Sequence, residues 1–242
     1  FETKKFRSEF QLDIKTFAIL STLIGVSLFL GSALQQVALL HTDVANAAFF
    51  TIFYVPMVPI IVFLFKKKII HWSVWPSVVL CLIGGYLLTN FYDATVRLGD
   101  GLVLIGALFW STHIIFTGMI ISRFNLPLTI GALQTLIVSV LSFIIGSIYE
   151  EFILDNILKE IDSILYAGVL SGGFAFVLQI YAQRNITPAP AAIIFSLEGV
   201  FATIAAWFLL NQVLDINNIL GCCFILCGVL LSQILPLMKQ AV

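Results

Sequence analysis

Residues 16–39 read TFAILSTLIGVSLFLGSALQQVAL, a run of 24 residues without a charge. A helix crossing roughly 30 Å of hydrocarbon needs about 20 mostly apolar residues, and this run supplies them. Working outward from it, comparable runs recur at about 44–65, 69–90, 101–122, 127–149, 164–184, 189–210 and 215–236, which makes about eight predicted spans. The breaks are short and carry nearly all the charge: Lys66-Lys67-Lys68, residues 90–100, Arg123-Phe124-Asn125, residues 150–162, Arg184-Asn185 and residues 211–218. Only helices or closed barrels satisfy the backbone in lipid, and these runs are too long and too unalternating for barrel strands. The expected fold class is therefore all-α, a polytopic membrane helix bundle.

Composition excludes most alternatives. Of 242 residues, 60% are hydrophobic and 10% charged, and the mean hydropathy is +1.08. A soluble domain carries about a quarter charged residues. A soluble enzyme, a nucleic-acid binder and a disulfide scaffold are disfavoured, and the lipid bilayer is the expected surrounding. Cys81, Cys222, Cys223 and Cys227 lie in apolar runs, where thiols act as small packing residues. No His or carboxylate joins them at metal-ligand spacing, so neither a metal nor a cofactor is expected. The chain opens polar, Phe1-Glu2-Thr3-Lys4-Lys5-Phe6-Arg7, so this opening stretch is not expected to be a cleavable apolar leader.

Charge orients the bundle. With the N-terminus cytoplasmic and eight alternating helices, Lys4, Lys5, Arg7, Lys15, Lys66, Lys67, Lys68, Arg123, Arg184 and Lys239 fall inside. Only Arg97 and Lys159 fall outside. That split follows the positive-inside rule and predicts cytoplasmic N- and C-termini. The acidic stretch Glu150 to Asp162 falls outside, and residues 152–161 are expected to form a short amphipathic surface helix.

The sequence also repeats. Leu34-Gln35, Ala38 and Ala47-Ala48 match Leu178-Gln179, Ala182 and Ala191-Ala192 at an offset of 144, and Gly85 with Leu87-Leu88 matches Gly228 with Leu230-Leu231 at 143. The first copy covers predicted helices one to three and the second covers six to eight. Under the assigned topology the copies run in opposite directions. Inverted repeats recur in secondary transporters, with the substrate site near the midplane between the halves. Predicted helices four and five have no counterpart in the first copy. The expected organisation is a first repeat over 1–98, short of two helices before Phe1, and a second, five-helix repeat over 99–242.

At these residues the chain resembles the EamA-type family of the drug/metabolite transporter (DMT) superfamily. Gly99-Asp100-Gly101 with Ala107-Leu108-Phe109-Trp110 resembles the family's repeat-opening helix. Leu197-Glu198-Gly199-Val200-Phe201-Ala202 resembles its "LEPVFA" segment, with Gly199 in place of the proline. Gly221, Gly228 and Val229-Leu230-Leu231 resemble its closing helix. The first half retains Ala47-Ala48, Pro56 and Gly84-Gly85. Asn211-Gln212 stands where the family commonly has Gly-Glu. The resemblance implies ten helices in two inverted halves, and export or exchange of small metabolites, amino acids or drugs. It also implies an integral protein of the bacterial inner membrane.

Glu198 is the one ionisable acid well inside a predicted span. A charge at the bilayer centre costs about 2.5–3.5 kcal/mol on insertion scales, so such groups face cavities and act, or stay protonated as structural glue. Glu198 either binds a cationic or amino group or exchanges a proton, or it hydrogen-bonds a neighbouring helix. His113, at mid-span, either relays protons or packs. Trp110 shares its helix face and either walls a cavity or meets lipid. Gln35, Gln134 and Gln179 are mid-span amides, two at equivalent repeat positions, suited to substrate binding or to pinning helices at about 0.6 kcal/mol each. Tyr54 aligns with Glu198 at the offset of 144 and is a second cavity candidate. Pro56 and Pro59 can kink one span, and Gly168 and Gly172 form a small-xxx-small pair; both features suit either hinges or static packing. Proton coupling would run through Glu198 or His113, and the residues assign no oligomeric state.

Other classes fare worse. Tyr92-Asp93 and Gly99-Asp100 superficially resemble membrane aspartyl proteases, but both acids fall in one predicted outer loop, and that chemistry needs facing carboxylates on separate helices. No zinc-protease motif or nucleophile elbow occurs. A channel would want a ring of charges or a carbonyl filter, and neither is present. The expectation is a secondary transporter for a small-molecule substrate, working by alternating access.

Overall fold

The computed structural model describes residues 2–67, 69–89, 97–211 and 213–240, with side chains described from residue 13 onward except at 66, 210 and 237–240. Among the described residues there are only helices, turns and connecting segments, and no strand. In chain order they are α1 (Glu2–Ala38), α2 (Val44–Thr51), α3 (Tyr54–Lys66), α4 (Val74–Leu88), α5 (Leu98–Phe124) and α6 (Pro127–Tyr149). There follow α7 (Leu154–Lys159), α8 (Ile161–Leu165), a π-helical segment (Tyr166–Ala175), α9 (Phe176–Gln183), α10 (Pro188–Phe195), α11 (Leu197–Leu210) and α12 (Ile216–Gln240).

Among the described residues, seven stretches are long and apolar enough to cross a membrane: Asp13–Ala38, Val44–Phe65, Leu98–Phe124, Pro127–Tyr149, Ile161–Gln183, Pro188–Leu209 and Ile216–Pro236. The remaining predicted span, the third in chain order at 69–90, is α4. It is apolar but has only 15 residues, about 22 Å of helix at 1.5 Å per residue. It starts at Val74 rather than near residue 69 because His71 and Ser73 form a local turn. His71 Nδ1 lies 2.8 Å from Ser73 Oγ and accepts from the Ser73 N–H at 3.4 Å.

Contacts group the chain into two compact units, Phe1–Leu30 with Ile115–Ile186, and Gly31–Ile114 with Thr187–Val242. Each unit draws on residues from both sides of the boundary near residue 98.

The first unit has an apolar core of Phe17, Leu20 and Ile24 from α1, Ile120, Ile121 and Phe124 from α5, Leu126 and Ile130 at the start of α6, and Ile180 from α9. Helices approach closely where a side chain is missing. A Cβ on Gly25 would lie 2.6 Å from Ile137, and one on Gly131 would lie 2.6 Å from Val177. At one end, α1 kinks at Asp13 (φ −160, ψ 58). Asp13 caps the onward helix by accepting from the Thr16 N–H at 3.1 Å, and it pairs with Arg123. The short helices α7 and α8 fall near the expected amphipathic stretch.

In the second unit α4 lies directly against α12. A Cβ on Gly84 would sit 2.7 Å from the Gly221 carbonyl oxygen, and one on Gly228 would sit 2.9 Å from that of Ser77. Such small-residue contacts let backbones touch where lipid provides no hydrophobic drive to associate. Around this pair, α10 packs on α3, α4 and α12. The start of α5 is fastened to the α1–α2 connection: buried Asp100 accepts from Thr42 Oγ1, from Asn46 Nδ2 at 3.2 Å and from the Arg97 N–H at 2.6 Å. Arg97 also pairs with Asp43 at 2.7 Å. Asp100 therefore belongs to the first turn of α5 and not to a loop. Asp93, its partner in the protease comparison, lies outside the described residues, as do Tyr92, Lys68 and Gln212.

The repeat offset is visible in the backbone. α2 starts at Val44 and α10 at Pro188; α3 ends at Lys66 and α11 at Leu210. Both boundaries are 144 residues apart. The next residues, Lys67 (φ 49) and Asn211 (φ 53), are left-handed at that same offset. Each of these two spans is interrupted by a turn of 3₁₀ type: Val55 N–H bonds the Ile52 carbonyl at 2.9 Å, and Gly199 N–H bonds the Ser196 carbonyl at 3.2 Å. These bonds too are related by 144.

Candidate functional site

The two mid-span turns each precede one sequence candidate of the second unit, Tyr54 and Glu198. Pro56 is the third residue of α3, where its missing N–H costs nothing because the first turn has no internal partner for it. The interruption accordingly precedes Pro56, at residues 52–53. Pro59 lies within α3 and withholds the usual donor from the Val55 carbonyl. Tyr54, first residue of α3, is only 4% exposed. Its hydroxyl is buried and has no hydrogen-bond partner among the described residues. Its own carbonyl lies 3.4 Å from Ser111 Oγ of α5.

Glu198 occupies the first turn of α11. Its side chain is exposed, and no hydrogen bond or ion pair engages it among the described residues. Ser196, in the turn itself, donates to the Ile193 carbonyl at 2.6 Å and lies 3.4 Å from Cys81 Sγ. Phe50 and Phe53 stack at 6.0 Å just before Tyr54. Ser196 and Cys81 thus meet beside the second turn, while Tyr54 and Glu198 each follow one of the two turns. Ser196 and Cys81 were not singled out in the sequence, although Ser196 stands at the repeat equivalent of Ile52.

The other candidates are distributed. His113 is fully buried and meets Trp110 edge-to-face, with ring centroids 6.2 Å apart. The Trp110 indole covers Gly31, where a Cβ would lie 3.2 Å from the ring. Gln35 donates to Thr51 Oγ1 at 3.2 Å, tying α1 to the end of α2. Gln134 is fully buried in the first unit, and Gln179 is half-buried there. Gly168 and Gly172 lie in the π-helical segment. A Cβ on Gly168 meets nothing within 4 Å, and one on Gly172 meets only the Ala167 carbonyl. Gln183 was missed: it is 2% exposed, and neither end of its amide has a partner among the described residues. Among the described residues no cluster of three or more His, Cys, Asp or Glu could hold a metal. α3 and α5 also bound an apolar cavity of about 350 Å³ lined by Met57, Ile60, Ile61, Leu104, Ile105 and Leu108.

A bundle of apolar helices long enough to span a bilayer defines an integral membrane protein. Residues 97–233 match the EamA-like transporter family, and the chain belongs to that family, within the drug/metabolite transporter superfamily. An uncharacterized transporter of Archaeoglobus fulgidus is 30% identical over 216 residues, covering 87% of this chain and 67% of its own length. One of Clostridium kluyveri is 23% identical over 214 residues, covering 83% and 67%. The uncharacterized transporter YoaV of Bacillus subtilis is 25% identical over 146 residues, covering 58% of this chain and 48% of its own. A protein of known crystal structure superposes with a TM-score of 0.78 over 98% of this chain and 84% of its own, at 13% identity, a likeness of fold.

Proposed function

We propose that this protein is a secondary transporter that exports or exchanges small metabolites, amino acids or drug-like compounds by alternating access through a midplane cavity. The observation that carries the reading is the pair of 3₁₀ turns 144 residues apart, at Val55–Ile52 and Gly199–Ser196, with Tyr54 and Glu198 beside them. Tight turns within long helices mark hinges, and discontinuous spans supply the binding sites of many carriers. The family's transporter character supports the same reading, and catalysis has no role in it. The proposed setting is the bacterial inner membrane, with both termini cytoplasmic, a placement that the distribution of basic residues supports.

Mass spectrometry of medium from cells expressing the protein, Glu198→Gln or empty vector tests the proposal. A metabolite accumulating outside only with the active protein establishes export. If Glu198→Gln exports equally, Glu198 is structural glue. Flux linear in substrate, with single-channel currents, would replace the carrier by a channel.

A further inference from the structure

The apolar cavity of about 350 Å³ between α3 and α5 has a definite place relative to the first 3₁₀ turn, set by two contacts. Asn46 of α2 donates to Asp100 of α5 at 3.2 Å, and Ser111 Oγ of α5 lies 3.4 Å from the Tyr54 carbonyl. The chain therefore runs in the same direction along both walls. On α5 the lining residues Leu104, Ile105 and Leu108 come before the Ser111 contact. On α3 Met57, Ile60 and Ile61 come after Tyr54. The cavity thus lies across the interruption at residues 52–53. One wall belongs to an unbroken helix of 27 residues, and the other to the 13-residue arm beyond the turn.

The six lining side chains are aliphatic or thioether, with no hydrogen-bond donor and no charge. Ile60, Ile105 and Leu108 are 42–50% exposed within stretches long and apolar enough to cross a membrane. The mouth therefore opens to hydrocarbon. An unfilled void there forfeits dispersion contacts on every wall, and apolar cavities stay dry and take apolar guests. A cavity of about 150 Å³ holds one benzene ring, so this one has room for a two-ring group or a folded alkyl chain.

We propose that this cavity is a binding site for a neutral hydrocarbon group of about naphthalene size, entered sideways from the bilayer, and that its occupant is a wedge beside the turn at residues 52–53. The site goes beyond the carrier reading and does not depend on it. A carboxylate or ammonium would give up its hydration and find no donor or counter-ion in the lining. A filled cavity props α3 against α5 and steadies the turn; an empty one leaves the arm free to close the gap. Two sources carry the required chemistry, the acyl tail of a bilayer lipid and the apolar part of a transported compound.

Photolabelling of the full chain in phosphatidylcholine nanodiscs tests the site, with 1-azidonaphthalene as the probe and labelled residues mapped by mass spectrometry. Labelling of the lining should saturate and be displaced by naphthalene. Naphthoate and naphthylmethylammonium should displace it at least about ten-fold less well. Phe143 and Ile148, exposed apolar residues of α6, report simple partition into lipid and should label in proportion to probe. Leu108→Trp and Ile105→Phe each fill the cavity from the α5 wall and should remove the saturable labelling without lowering Tm. Labelling of the lining that rises linearly like that of Phe143, yields to the ions as readily as to naphthalene, or survives both variants overturns the proposal. Naphthalene should also slow amide hydrogen exchange in peptides spanning residues 50–58 of the unsubstituted protein. Unchanged exchange overturns the wedge.

A phosphatidylcholine with a diazirine in its acyl tail separates the two sources. A tail that labels the lining and is displaced by naphthalene assigns the occupant to lipid. An unlabelled lining, with saturable counterflow of naphthylmethanol that Leu108→Trp abolishes, assigns it to a transported compound. Neither tail labelling nor counterflow would overturn the proposal as well.

Discussion

Gly84 of α4 and Gly221 of α12 face each other reciprocally: a Cβ on either would lie 2.7 Å from the carbonyl oxygen of the other. The adjoining contact, Gly228 against the Ser77 carbonyl at 2.9 Å, is the same contact with the two repeats exchanged, since Ser77 and Gly84 become Gly221 and Gly228 at the offset of 144. The helix pair therefore maps approximately onto itself when the copies are swapped, as expected of two helices related by a pseudo-two-fold axis.

The obstacle at this seam is backbone, which cannot rotate away. Gly221→Ala would place its methyl 2.7 Å from the Gly84 oxygen and 3.0 Å from Leu88 N, and overpacking of this kind costs about 1–3 kcal/mol. Gly101→Ala, which meets nothing within 4 Å, should be neutral or slightly stabilising. Thermal unfolding in detergent should show a lower Tm for the first and none for the second. Equal behaviour would mean that α4 and α12 are not in backbone contact.

Asp100 and Asp43 look alike in sequence and should differ greatly in effect. Asp100→Ala strands Thr42, Asn46 and the Arg97 N–H, and loss of a buried, multiply bonded carboxylate costs about 3–5 kcal/mol. Asp43→Ala breaks an ion pair whose side chains are 59% and 46% exposed, and such pairs contribute about 0–1 kcal/mol. Urea or heat titration of both variants should separate them clearly, with only Asp100→Ala strongly destabilised.

Lys67 and Asn211 end equivalent spans in the left-handed region, with φ 49 and 53. A non-glycine residue there costs roughly 1–2 kcal/mol, less for asparagine, whose short polar side chain tolerates it. Lys67→Gly should therefore raise Tm, and Asn211→Gly should raise it by a smaller amount. A fall in Tm for Lys67→Gly would argue against the left-handed cap.

Tyr54→Phe removes a buried hydroxyl that has no bond to lose among the described residues. Folding stability should be unchanged or rise by up to about 1 kcal/mol. A drop in stability comparable to a lost buried hydrogen bond would place a protein partner on that hydroxyl instead.

Hydrophobic run length made the spans legible, because crossing a bilayer imposes one length on all of them, and it failed only where a local turn shortened α4 at His71–Ser73. The offset of 144 located the Tyr54–Glu198 correspondence before any coordinates did. The turn at Ser196 carries no local signal, since Val200 stands where the other copy has Pro56; only the repeat could have found it. Asp100 read as a loop residue because its partners are 54 and 58 positions away, beyond any local pattern. Gln183 sits beside Arg184 and reads as a span end, yet it is buried. The π-winding of residues 166–175 has no signature beyond its glycines.

The interruption at residues 52–53 turns one span into two stiff rods on a common joint. α3, at 13 residues, is an arm about 20 Å long at 1.5 Å per residue, so a swing of about 10° at Tyr54 carries its far end through about 3.5 Å. That stroke exceeds the roughly 2.8 Å diameter of a water molecule. On the carrier reading proposed above, a swing of about 10° at a single turn would be enough to wet or seal a passage, and α11, at 14 residues, is a lever of nearly equal length.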